Sequence, residues 1–175
     1  MSDLRLTAIK CTKKTLFNLL DAIGQAHHRL TKLRISSIDI NDFVLMNKLN
    51  DTIYNLPQLT ELNLSSLKIN GKQMADLMWL IYDTCMNMAF LNLSYNILPT
   101  QPPYRKKFLD SLIKLVVESE KLVDLDISGM NLRNHVREIM WPLARSKTLQ
   151  SIHLSDNNIN AVTMTHLYLV FGIKD

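Results

Sequence analysis

The chain has 175 residues, a mass of 20.2 kDa and a formal net charge of +4, a size for one domain or one short repeat array. Apolar residues make up 47% and charged residues 21%, so the composition is that of an ordinary soluble protein with material for a core. Four Gly and five Pro exclude collagen-like, linker and low-complexity classes.

No apolar run approaches the ~18 residues of a membrane-spanning helix. The start, Met1-Ser2-Asp3-Leu4-Arg5, lacks the basic-then-apolar order of a signal peptide.

In chain order, one apolar template recurs. An eleven-residue window, apolar at positions 1, 4, 6, 9 and 11, opens with Met1, Leu4, Leu6, Ile9 and Cys11. Thr12 or Thr15 can cap the helix that follows, with a stripe of Leu16, Leu19, Leu20 and Ile23. His27-His28 fall at its predicted end, where a cation suits the helix dipole. The second window is Leu30, Leu33, Ile35, Ile38 and Ile40. The third is Leu59, Leu62, Leu64, Leu67 and Ile69, followed by a helical stripe of Met74, Leu77, Met78 and Ile81. The fourth is Met88, Leu91, Leu93, Asn96 and Leu98, with a stripe of Leu109, Leu112, Ile113 and Val116. The fifth is Leu122, Leu125, Ile127, Met130 and Leu132, and the sixth Leu149, Ile152, Leu154, Asn157 and Ile159. Windows start at 1, 30, 59, 88, 122 and 149, at spacings of 29, 29, 29, 34 and 27.

These windows resemble the leucine-rich-repeat signature L-x-x-L-x-L-x-x-N-x-L, and the resemblance runs along the whole chain. A period near 29 is similar to the ribonuclease-inhibitor-like subclass, in which each repeat is a strand plus a full helix. The residues support the same picture independently. Leu62-Asn63-Leu64 and Leu125-Asp126-Ile127 alternate as on a half-buried strand, and a helical pattern follows each window. One strand–helix unit cannot bury its own stripe; stacked units bury it against neighbours. The expected fold is an α/β solenoid over residues 1–175, with parallel strands beginning near residues 3, 32, 61, 90, 124 and 151 on a concave sheet.

Two features depart from the template, and a third is common to all six copies. Position 9 is Asn only at Asn96 and Asn157, so the turns of the first, second, third and fifth copies need another source of hydrogen bonds. Position 7 is Thr7, Ser36, Ser65, Ser94, Ser128 or Ser155, and these hydroxyls are expected to bond the backbone. The fourth repeat is about five residues longer, and Pro99 to Lys107 is expected to bulge as an extended loop, with Pro102 and Pro103 blocking a helix start. Tyr104 and Arg105 on that loop are candidate partner contacts.

No H-E-x-x-H pattern, phosphate-binding loop or G-x-S-x-G elbow is present. No catalytic residue, cofactor site or metal site is therefore expected. Asp124 and Asp126 share one strand face as a solvated pair rather than an acid–base dyad. Cys11, at an inward position, and Cys85 read as structural thiols of a reducing compartment. Lys and Arg outnumber Asp and Glu by 8 to 5 over residues 1–58, and the excess is too dispersed for nucleic-acid binding.

Positions 3 and 5 of each window point outward from the sheet. They read Asp3 and Arg5, Lys32 and Arg34, Glu61 and Asn63, Phe90 and Asn92, Asp124 and Asp126, then Ser151 and His153. A basic end, a central Phe and an acidic end suit protein recognition. The final helix, through Tyr168 and Phe171, is apolar where a polar cap is normal, so another chain or further repeats are expected to cover it. The resemblance implies a cytoplasmic protein-interaction or scaffold element within a larger assembly, with the cytoskeleton or cilium as one setting. The alternative it implies is a GTPase-activating or other enzyme-regulating protein.

Overall fold

The computed structural model describes residues 2–25 and 29–172. His27 and His28 lie outside the described residues. Six strands alternate with six helices: β1 (Asp3–Thr7), α1 (Lys13–Gln25), β2 (Lys32–Ser36), α2 (Phe43–Tyr54), β3 (Glu61–Asn63), α3 (Gly71–Thr84), β4 (Phe90–Asn92), α4 (Pro102–Glu118), β5 (Asp124–Asp126), α5 (Val136–Arg145), β6 (Ser151–His153) and α6 (Ala161–Phe171). The strands form one parallel sheet in chain order, β1 to β6, and begin at the residues expected from the template. Like positions pair throughout: Lys32 with Glu61, Glu61 with Phe90, Phe90 with Asp124. The chain is a leucine-rich-repeat solenoid, with consecutive helices packed side by side along one face of the sheet.

Inward positions 4 and 6 form the core. Leu33, Ile35, Leu62, Leu64, Leu91, Leu93, Leu125 and Ile127 are buried, as are the stripe residues Leu20, Met74, Leu77, Ile81, Leu112 and Val116. Each fully buried side chain of this size contributes about 1.5–3 kcal/mol. Thr12 caps α1, its Oγ1 accepting from the Thr15 amide at 3.1 Å. The first repeat is looser: Leu4 is only partly buried and Ile9 is exposed. Cys11 is exposed rather than inward, because among the described residues no repeat stacks on the open side of β1, the edge strand of the sheet. Cys85 is buried at the end of α3.

The turns after the strands extend the sheet by one further bond. Position 8 has positive φ in every copy, at Ala8, Ser37, Ser66, Tyr95, Gly129 and Asp156. This left-handed residue aims its N–H at the position-7 carbonyl of the next repeat, as Ser66 does to Ser94 at 2.9 Å and Tyr95 to Ser128 at 2.8 Å. Only one copy has Gly there, so the interrepeat bonds offset a left-handed conformation that non-glycine residues disfavour.

Two asparagines serve four turns. Asn96 Oδ1 accepts from the Leu67 amide of the third repeat at 3.1 Å, while Nδ2 donates to Leu64 O at 2.8 Å and to Leu93 O at 3.0 Å. Asn157 does the same for the fifth and sixth repeats through Leu132 N, Ile127 O and Leu154 O. The third and fifth turns thus borrow the asparagine of the following copy. The position-7 hydroxyls do not take the backbone role expected of them. The position-5 side chains take it instead: Asn63, Asn92 and Asp126 accept from the amides of Ser65, Ser94 and Ser128 at 2.9–3.0 Å.

The extra length of the fourth repeat is mostly helix, not an extended loop. α4 has 17 residues against 14 in α3, and it starts at Pro102 with prolines in its first turn. First-turn amides have no intrahelical acceptor, so Pro costs nothing there and its fixed φ suits the helix.

Candidate functional site

The helix-free face of the sheet carries the outward strand positions in register. At its N-terminal end Glu61 takes Lys32 on Oε1 and Arg34 on Oε2, the latter at 2.8 Å. Burial pushes the Glu61 carboxyl up, but the hydrogen bonds from Lys32 and Arg34 outweigh it and hold the pKa below its ordinary value. Arg5 pairs with Asp3 at 3.0 Å. The end expected to be basic is therefore largely paired within itself.

Phe90 sits between Glu61 and Asp124 in register. Its side chain has no partner of its own kind on the strands, and it is 45% exposed. A shallow depression of about 210 Å³ surrounds it, with Arg34, Glu61, Asn92 and Asp124 at its edges. Beyond Phe90 the face is acidic. Asp126 Oδ2 accepts from Asn92 Nδ2 at 2.8 Å, and Asp126 and Asp124 are half-buried rather than fully solvated.

Ser151, His153 and Asp124 stand close enough to suggest a hydrolytic triad. His153 Nε2 lies 3.1 Å from Ser151 Oγ and 3.3 Å from Asp124 Oδ2. A triad needs the two imidazole nitrogens to serve different partners, one taking the serine proton while the other is held by the carboxylate. Here one nitrogen meets both groups. In this arrangement the three side chains do not form that relay.

In the turn of the fourth repeat, the repeat that carries Phe90, Tyr95 lies across the following repeats. Its ring covers Gly129, where an added Cβ would fall 2.5 Å from Tyr95 Cδ1, and its hydroxyl donates to Asp156 Oδ2 at 2.8 Å. That hydrogen bond, with the charges of Asp156 and Asp126, raises the phenol pKa above its ordinary value. Sequence reasoning passes over Tyr95 because position 8 belongs to neither the core nor the outward strand set. An aromatic at a turn position filled elsewhere by small or short side chains is the signal that could have found it.

The other predicted contacts divide. Tyr104 is half-buried against the core, and Arg105 donates to Thr100 O at 3.0 Å, so neither stands on a free loop. On α6, Tyr168 is 77% exposed beside Leu169, whereas Phe171 packs partly against the core. Two larger depressions, of about 470 and 490 Å³, follow the seam of α3 and α4 on the helical side. Groups along that seam already pair: Lys107 with Asp76 at 2.5 Å, Tyr82 Oη with Glu118 at 2.7 Å, and Lys114 over the Trp79 and Tyr82 rings. The seam thus fastens the lengthened α4 to α3. Among the described residues, no group of three or more His, Cys, Asp or Glu could hold a metal ion, and no helix is long and apolar enough to cross a membrane.

No protein-family model matches the chain, and no curated protein matches it either. Among solved structures it is similar to the tropomodulin C-terminal domain of Caenorhabditis elegans, with a TM-score of 0.65 and 14% identity over 90% of this chain and 91% of that one. At that identity the likeness is one of fold.

Proposed function

We propose that the chain is a non-enzymatic protein-interaction module, a single leucine-rich-repeat domain over residues 1–175 of the ribonuclease-inhibitor-like kind. It works as a scaffold within a larger cytoplasmic assembly, of which a cytoskeletal or ciliary complex is one form. The observation that carries the reading is Phe90. It is an exposed aromatic at the centre of a polar sheet face, flanked by a paired cationic cluster on one side and carboxylates on the other. Exposed aromatics in such surroundings supply binding energy, and the charges set orientation. The docking surface comprises Lys32, Arg34, Glu61, Phe90, Asp124 and Asp126, and the apolar face of α6 around Tyr168 is a second patch covered in the assembly. Neither nucleic acid nor membrane is a partner.

The test is quantitative affinity capture from the native source with matched variants. Phe90→Glu should lose the captured proteins, while Trp141→Glu, an exposed aromatic on the helical side, should keep them. Equal capture by both variants would refute the assignment of this face.

A further inference from the structure

The fourth repeat departs from its neighbours in more than length. Within its window it exposes three large apolar side chains, Phe90, Tyr95 and Ile97, where the described residues of the first copy expose one, Ile9. They stand at positions 3, 8 and 10 of one window, on β4 and in the turn that follows it. Tyr95 is fixed in place by Gly129 beneath its ring and by the bond to Asp156, so little side-chain freedom remains to be lost on binding.

Three carboxylates accompany these side chains. Asp124 is the register neighbour of Phe90, Asp126 accepts from Asn92, and Asp156 accepts from Tyr95. On the other side of Phe90, Asp3 and Glu61 are neutralised by Arg5, Lys32 and Arg34. Among the described residues, Asp124 meets only His153 as an ion-pair partner, and no lysine or arginine pairs with Asp126 or Asp156. These exposed apolar side chains thus stand beside negative charge that no lysine or arginine among the described residues compensates.

We propose that the fourth repeat binds an extended protein segment presenting an apolar side chain next to a lysine or arginine. The apolar group packs on Phe90, the segment runs on past Tyr95 and Ile97, and the cation enters the flank formed by Asp124, Asp126 and Asp156. This rests on the open-face reading above and adds the chemistry of the partner.

The probe is a phage-displayed library of random linear peptides selected against the full chain, followed by fluorescence anisotropy of the enriched peptides. A triple variant, Asp124→Asn, Asp126→Asn and Asp156→Asn, removes charge while keeping one acceptor oxygen at each position; at Asp126 that oxygen holds the Ser128 turn bond and the bond from Asn92 is given up. Asn63 and Asn92 already make in two copies the turn bond that Asp126 makes in the fifth. The enriched peptides should place Lys or Arg beside an apolar residue. Their Kd should weaken about tenfold on the triple variant, and their affinity should fall as salt rises. If the triple variant does not fold, Asp156→Asn alone should show the same effect at about threefold. Peptides that require Phe90 but are acidic, or are indifferent to the charge removal, would overturn this proposal and leave the open-face reading standing. A selection enriching nothing over the Phe90→Ala protein would overturn both.

Discussion

Asn96→Ala is the substitution that most sharply probes how the repeats are joined. The side chain is buried and holds three backbone groups, the Leu67 amide and the carbonyls of Leu64 and Leu93. Two of these belong to the third repeat and one to the fourth. Truncation leaves all three without their partner away from solvent, at about 1–1.5 kcal/mol each, so the loss should be about 3–5 kcal/mol. Against a typical domain stability of ~5–15 kcal/mol that is a large share. Urea unfolding followed by the fluorescence of Trp79 and Trp141, on α3 and α5 either side of α4, reads it directly. Hydrogen exchange adds a test of the shared bond: the Leu67 amide should exchange faster although it lies a whole repeat away in sequence. A loss below about 1 kcal/mol, or an unchanged Leu67 amide, would refute the reasoning that one asparagine serves two turns.

Leu93→Ala should cost about 2–5 kcal/mol in the same unfolding assay, because it deletes a fully buried side chain from the centre of the array. Iodoacetamide at about pH 8 should label exposed Cys11 and spare Cys85, whose thiol burial pushes up to about 12; mass spectrometry of the peptides decides it. Asp39 and Asp42 have lowered pKa values, Asp39 through the Asn41 amide and Lys68, Asp42 through Lys13 and the Leu45 and Val44 amides. Their ionised forms therefore favour the fold, fully above the ordinary value of 3.8 and decreasingly as pH drops through the depressed folded values. The urea midpoint should be level from about pH 7 to 5 and fall below about pH 4; a midpoint that rises on acidification would contradict the pairing.

The strands were legible because an inward Leu or Ile at positions 4 and 6 has one solution in a stacked array: Leu62 and Leu64, or Leu125 and Ile127, must face the helices. The turns were less so. That Asn96 would also satisfy Leu67, 29 residues earlier, depends on the distance between adjacent repeats, which the spacing of one repeat does not contain. Pro102 and Pro103 misled for a similar reason. Proline forbids a helix interior but suits a first turn, and only the position of the helix start distinguishes the two. Strand alternation marks positions 3 and 5 in the sequence, but it does not show how those residues pair. Glu61 reaches Lys32 and Arg34 across a strand boundary, so formal charges along the sequence overstate how basic that end is. Tyr95 went unnoticed because its role comes from Gly129 and Asp156, one and two repeats further on.

The claim that the open face around Phe90 is the recognition surface is tested most directly by photo-crosslinking. A benzophenone amino acid replaces Phe90 in one protein and Trp141 in another, and each is irradiated in extract of the native source. The account predicts that a discrete partner is joined at position 90 and not at position 141. Crosslinks confined to position 141, or a partner that copurifies yet is never joined at position 90, would contradict it.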